Sequence, residues 1–116
     1  MPAVLSAGNC QYTIISTNGT TTLNQAQPAG ANSPPTSPAI YYGANLNVLG
    51  TAPVLAVLDI YVAGTATVTN TIDTGTGTAV GQNFPALNGA LGVRLKGNLV
   101  VVTTGTAAGT WLLGWD

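Results

Sequence analysis

The chain has 116 residues, a length that suits a single domain over residues 1–116, and only 4% of the residues are charged. Histidine and glutamate are absent, which excludes histidine-based catalysis and the common zinc sites. Two basic residues are too few to neutralise a phosphate backbone, so we expect no nucleic-acid partner, and a net charge of −1 leaves little repulsion between copies.

The first predicted elements are two strands, residues 11–16 and 20–24. Asn18-Gly19 lies between them and favours a tight hairpin turn, because both residue types tolerate positive φ. Cys10, the single cysteine, precedes the first strand, so no internal disulfide is possible and we expect it to be a small core residue.

Residues 25–38 hold four of the seven prolines. Proline lacks a backbone N–H and fixes φ, so this stretch is a poor candidate for a helix or a central strand. We predict a long extended arm or loop here.

The middle of the chain predicts three strands. Residues 39–49 alternate, so that one face carries Ile40, Tyr42, Ala44, Leu46 and Val48. Residues 54–62 are apolar on both faces, which predicts a strand covered on both sides, either by the fold or by a partner. Residues 66–72 alternate again, and residues 73–82 are rich in glycine and threonine and are predicted to be a flexible connection.

The clearest predicted unit is a second hairpin, in which Gly97-Asn98 joins residues 91–96 to residues 99–104. In that register Leu99 and Val101 share one face with the only two cations, Arg94 and Lys96. A last strand follows at residues 110–116.

Some seven or eight short strands separated by Gly, Asn and Thr turns predict an all-β fold. The expected architecture is one antiparallel β-sandwich, jelly-roll-like, with a long Pro-rich loop or arm. Strand order is left open, because periodicity alone does not encode which strands pair.

No motif predicts catalysis, and no cofactor is expected. Asp59 and Asp73 are far apart in sequence, so we expect Asp59 to be a strand or interface residue with a hydrogen-bond partner and Asp73 to be a turn residue. A calcium site around Asp73 is a weaker alternative. Trp111 and Trp115 are predicted to be buried, with sugar stacking as the alternative.

The glycine-rich segment GTGTAVG at residues 75–81 approaches the dinucleotide-binding fingerprint without matching its spacing, so we interpret it as a turn. The N-terminus has no basic region before an apolar stretch, and the longest apolar run, VLAVLDIYVAG, is too short to span a bilayer. We expect neither secretion nor a membrane partner.

The succession TIISTNGTTTLN, a Pro-rich arm, AIYYGANL, VLDIYVAGTAT and GVRLKGNLVVVTTGTAAGTW resembles the small β-sandwich virion proteins of tailed bacteriophages. The most similar part is the ending, an apolar strand of the type GLVVVTSGT followed by a Gly/Thr turn and a short last strand. Here it reads GNLVVVTTGT, with Asn98 inserted after the glycine. Proteins of this style include head decoration, or cement, proteins, often trimeric, and small tail and fibre components.

The resemblance implies a non-enzymatic protein that is made in the host cytoplasm and lies on the capsid surface. Its implied partners are the major capsid protein and copies of itself, with a homotrimer favoured. Two segments are the candidate contacts: the mixed face of the second hairpin, where aliphatics give area and cations give orientation, and the stiff proline segment. The candidate residues are Arg94, Lys96, Leu99, Val101, Pro28, Pro34, Pro35 and Pro38.

Three other functions remain open. A tail or fibre module would bind a host receptor or a glycan, and Trp111 or Trp115 would then be the residues to test. A small hydrolase would need a catalytic set that this composition hardly provides. A self-assembling sheet or tube would polymerise from the pure chain, which the low charge also permits.

Overall fold

Nine β-strands make up the regular structure of the described residues. The computed structural model describes residues 11–28, 33–85 and 92–116, and Cys10 lies outside them. The strands are β1 (Gln11–Ile15), β2 (Gly19–Asn24), β3 (Ile40–Val48), β4 (Val54–Ala63), β5 (Ala66–Thr76), β6 (Asn83–Pro85), β7 (Val93–Arg94), β8 (Asn98–Thr104) and β9 (Thr110–Trp115).

The strands form two antiparallel sheets. The five-stranded sheet has the order β1-β9-β3-β6, with β7 also pairing with β3, and the four-stranded sheet has the order β2-β8-β4-β5. Most connections cross from one sheet to the other, so that β1 and β2 run beside β9 and β8 as a double layer. This is the arrangement of a jelly roll, and it confirms the predicted antiparallel β-sandwich.

Both predicted hairpins are wrong. Asn18-Gly19 does turn the chain, with Gly19 at a φ of 143°, but β1 pairs with β9 and β2 pairs with β8. The second turn, Gly97-Asn98, likewise separates β7, which pairs with β3, from β8, which pairs with β2 and β4. Turn residues allow a reversal, but they leave open whether the next strand stays in the same sheet or crosses to the other.

Among the described strands, β4 and β5 form a hairpin and pair from Val54↔Thr76 to Ala63↔Ala66. The second strand therefore continues through Asp73 to Thr76, where the sequence predicts a connection. β5 is rich in threonine and forms an edge of the four-stranded sheet, where it pairs with β4 along its whole length.

The core lies between the sheets. Its fully buried side chains come from both layers, and the ring of Phe84 meets that of Trp111 edge-on with centroids 5.3 Å apart. The largest of them are Trp111, Tyr41, Leu46, Leu55, Leu99 and Leu113.

Candidate interaction surface

The four hairpin residues predicted to contact a partner do not share a face. Leu99 and Val101 have no exposed surface, because β8 turns this side towards the five-stranded sheet. Arg94 and Lys96 are exposed. The mixed face of cations and aliphatics is therefore wrong, since the hairpin that would create it does not form. A partner contact of the two cations stays a prediction.

Asp59 explains why the chain turns at Lys96. This carboxylate is 5% exposed on the inner side of β4, and its two oxygens accept the backbone N–H groups of Lys96 and Gly97, each at 2.8 Å. A side chain on Gly97 would meet the Tyr61 Cβ at 2.5 Å, so the turn also needs glycine for space. The prediction that Asp59 has a hydrogen-bond partner is confirmed, and its role is to fix the crossing from β7 to β8.

The Pro-rich segment is anchored to its own domain by Gln27. Its side chain is buried, accepts the N–H of Val62 at 2.6 Å and donates to the carbonyl oxygens of Val62 at 3.1 Å and Ser33 at 2.7 Å. Its backbone N–H donates to Asn98 Oδ1 at 2.7 Å. Asn98, the first residue of β8, pairs with Ile60 of β4. The Gln27 amide bonds to Val62, two residues further along β4, and so takes the place of a strand partner there.

The same segment closes on itself. The Thr36 N–H donates to the Ala26 carbonyl at 2.8 Å, so the described residues form a loop and not an arm that extends away. The predicted proline contacts with a neighbouring subunit stay predictions. Within the loop Pro28 and Pro34 are exposed, whereas Pro35 and Pro38 are half-buried.

The outer side of the four-stranded sheet carries an apolar surface, which we call the aliphatic face. Along β4 the inward residues Leu55, Val57 and Asp59 are buried, and the alternate residues point the other way and are half-buried. β8 adds two valines that pair beside them, of which Val100 is buried, at 7% exposed, and Val102 is half-buried. The aliphatic face consists of Val54, Ala56, Leu58, Ile60 and Val62 of β4 with Val100 and Val102 of β8.

Threonines border the aliphatic face on both sides. On β2, Thr20 and Thr22 lie opposite Val102 and Val100. On β5, threonines lie opposite the β4 aliphatics at positions 67, 69, 71, 74 and 76. None of these residues carries a charge, and no described strand or helix covers the surface.

The aliphatic face is close in size to the apolar patches that monomers keep for function. Its two strands, about 4.8 Å apart with about eight residues each at about 3.3 Å, cover about 250 Å², and the threonine borders widen the uncharged surface to about 500 Å². The largest apolar patch on a typical monomer is about 300–600 Å² and is often functional. The two-sided apolar pattern of residues 54–62 indicated this surface in the sequence. Val100 and Val102 were missed, because the predicted hairpin register placed them on the face opposite the expected partner contact.

A tyrosine–aspartate pair joins the two sheets inside the sandwich. Tyr41 donates its hydroxyl to Asp73 Oδ2 at 2.9 Å. Burial raises the pKa of Asp73, and the hydrogen bonds from Tyr41 and from the Thr74 backbone lower it. Burial and the neighbouring carboxylate also raise the pKa of Tyr41, so the hydroxyl keeps its proton and acts as a donor.

Asp73 therefore lies in a strand, and its prediction as a turn residue is wrong. Within the described ranges no three acidic or cysteine side chains come together as a metal site would require. Two glycines of the GTGTAVG segment serve packing, since a side chain on Gly75 would overlap the Phe84 ring and one on Gly77 would overlap Leu46. The third, Gly81, adopts a positive φ of 87°.

The tryptophans do not form a shared platform for sugar stacking. Trp111 is 1% exposed, as predicted for a core residue. Trp115 is half-buried and donates its Nε1–H to Thr13 Oγ1 at 3.0 Å. Only one of the two rings is open to a ligand, and its N–H is already bound.

Comparisons with known proteins leave the interpretation to the geometry. Across the described part of the chain, no helix is long and apolar enough to cross a membrane. No protein-family description matches the chain, no curated protein matches its sequence, and no solved structure matches it.

Proposed function

We propose that this protein is a non-enzymatic structural component of a tailed-phage virion, a decoration protein that docks on the major capsid protein through the aliphatic face. The observation that carries the proposal is the uncharged, Thr-bordered apolar face on one side of the sandwich. The sequence resemblance to small virion proteins supplies the phage context.

The size of the aliphatic face favours a partner that presents many equivalent binding sites. Burying the roughly 250 Å² of the aliphatic face stabilises a contact by about 6 kcal/mol. The loss of translational and rotational freedom costs about 4–15 kcal/mol, so one such contact is marginal. A capsid lattice presents many equivalent sites, and a decoration oligomer that engages several at once is retained by multivalency.

The first test is the copy number per particle, from quantitative mass spectrometry of purified virions that carry this chain. We expect a count equal to that of the major capsid protein or a simple fraction of it. A count of a few to a few dozen copies would overturn the decoration role and assign the protein to the tail or fibres.

The second test places a charge on the aliphatic face. Ala56 lies between Val102 and Thr74 in neighbouring strands, so Ala56→Lys adds a cation there without removing a packed side chain. Ala79→Lys makes the same change at an exposed position between β5 and β6. Both variants should fold, as judged by circular dichroism and thermal unfolding. We expect A56K to be lost from particles and A79K to be retained; equal retention would contradict docking through this face.

A further inference from the structure

β1 forms one edge of the five-stranded sheet. β1 is the last strand in the sheet order and pairs with β9 in an uninterrupted register from Gln11↔Trp115 to Ile15↔Trp111. No described strand pairs with its other side. We call this the β1 edge, defined by residues 12–14.

The β1 edge also exposes large apolar side chains. Tyr12 is 67% exposed and Ile14 is 57% exposed, two of the four large hydrophobic residues exposed within the described ranges. They point to the outer side of the sheet, where their β9 partners are Gly114 and Leu112. Glycine opposite Tyr12 leaves that ring without a cross-strand side chain to cover it.

The other three sheet edges carry features that prevent strand pairing, and the β1 edge does not. Natural edges are blunted by shortness, bulges, prolines or inward charges. β6 has three residues and β7 two; β2 is interrupted by a register shift; β5 has a register shift and the inward Asp73. β1 is regular, uncharged and free of proline.

We propose that the β1 edge binds the β1 edge of a second copy, so that the two five-stranded sheets become continuous across a two-fold axis. The strand is self-complementary in an antiparallel register centred on Thr13. In that register Tyr12 of each copy lies opposite Ile14 of the other on the outer face, an aromatic and a β-branched side chain, which pair well across strands. Because β1 is uncharged, the two-fold arrangement brings no like charges together.

The contact is small. Three residues of strand edge and two side chains cover well under the roughly 800 Å² per partner of a standard interface. Self-association should therefore be reversible and concentration-dependent, and it should give even-numbered assemblies, in contrast to the homotrimer that the resemblance implies. The contact does not involve the aliphatic face and needs no virion.

Sedimentation velocity of the purified chain from low to high micromolar concentration tests the proposal. We expect the wild-type chain to pass from monomer to dimer. Ile14→Lys and Tyr12→Lys each place a cation in both symmetric cross-strand pairs and should weaken dimerisation by about tenfold or more. Val80→Lys, at a position 63% exposed between β5 and β6, is the matched control and should dimerise like the wild type. A wild-type chain that remains monomeric, or an I14K variant that dimerises unchanged, would overturn the proposal.

Cross-linking tests the register. In a Cys10→Ser background, chains with Tyr12→Cys and chains with Ile14→Cys are mixed and oxidised. Opposite residues of antiparallel strands have Cα atoms about 4.5–5.5 Å apart, within reach of a disulfide. We expect the mixture to form Y12C–I14C dimers in preference to dimers of either variant with itself. Equal cross-linking in the unmixed samples would refute the register. These experiments use the free protein, so their failure is separate from a failure of the copy-number test.

Discussion

The buried carboxylate of Asp59 gives the sharpest stability prediction. Asp59→Ala leaves the N–H groups of Lys96 and Gly97 without their acceptor. A buried donor without a partner costs about 1–3 kcal/mol. The bond to Gly97 is buried and the bond to Lys96 is partly buried, so we expect a total loss of about 2–4 kcal/mol in the free energy of unfolding. This is a large share of the roughly 5–15 kcal/mol that stabilises a typical domain.

Urea unfolding followed by tryptophan fluorescence measures this loss as a lower midpoint with an unchanged slope. Asp116→Ala is the control, because it removes an exposed acid and should change stability by no more than about 0.5 kcal/mol. Asp59→Asn keeps the volume of the side chain but only one acceptor oxygen, and should cost about 1–3 kcal/mol. If D59A unfolds at the wild-type midpoint, the carboxylate does not hold the crossing; if only D59A and not D59N is destabilised, the loss is one of packing.

Three further predictions concern the loop, the inter-sheet pair and the two cations. Gln27→Ala removes three side-chain hydrogen bonds and should cost about 2–3 kcal/mol; it should also speed proteolysis within residues 25–38, and unchanged cleavage would contradict the anchoring role. Burial raises the pKa of Asp73 from 3.8, so the folded state binds this proton more tightly than the unfolded state. Its contribution to stability is therefore present at low pH and is lost as pH rises from about 4 through the raised pKa. In urea titrations, the free energy of unfolding of Asp73→Asn minus that of the wild type should accordingly increase over that pH range. Tyr41→Phe removes a hydrogen bond that lowers the pKa of Asp73 and should extend the range to higher pH. A difference between Asp73→Asn and wild type that does not vary with pH would refute the assignment. Replacing Arg94 and Lys96 together by Gln should weaken binding to particles without changing the melting temperature, and normal binding would show that the cations make no partner contact.

The turn signals show how far local sequence determines this fold. Asn18-Gly19 and Gly97-Asn98 both mark positions where the chain reverses, and Gly19 adopts the positive φ that the signal requires. Pairing depends on which surfaces the flanking strands bury, and those surfaces come from distant parts of the chain. The sequence therefore locates the turns but does not distinguish a hairpin from a crossing between sheets.

The faces of β3 show a second limit. Alternation places Tyr42 with Ala44 and Leu46, whereas the structure buries Tyr41 on that side. The register against β9 shifts between Tyr41 and Gly43, so one extra residue occupies β3 there. Because side chains alternate with a period of two, a single inserted residue reverses the orientation of everything before it.

The aliphatic face was the part of the candidate site that could be predicted best. Residues 54–62 are apolar at every position but Asp59 and Tyr61, and such a strand must be covered on both of its faces. The five-stranded sheet covers one side. The pattern does not say what covers the other, because a partner leaves no periodicity of its own in the sequence.

The central position of β9 has a consequence for how the protein reaches its folded state. β9 lies between β1 and β3, so one sheet depends on pairing residues from opposite ends of the described chain, as in Gln11↔Trp115. Such non-local topologies fold slowly, on a scale of about milliseconds to seconds. During synthesis β1 and β3 are made long before β9, the strand that lies between them. Neither can complete its pairing with β9 until Trp115 has been added. A chain cut after residue 109 would lose its central strand and not an edge, and should fail to fold instead of folding with a shortened sheet.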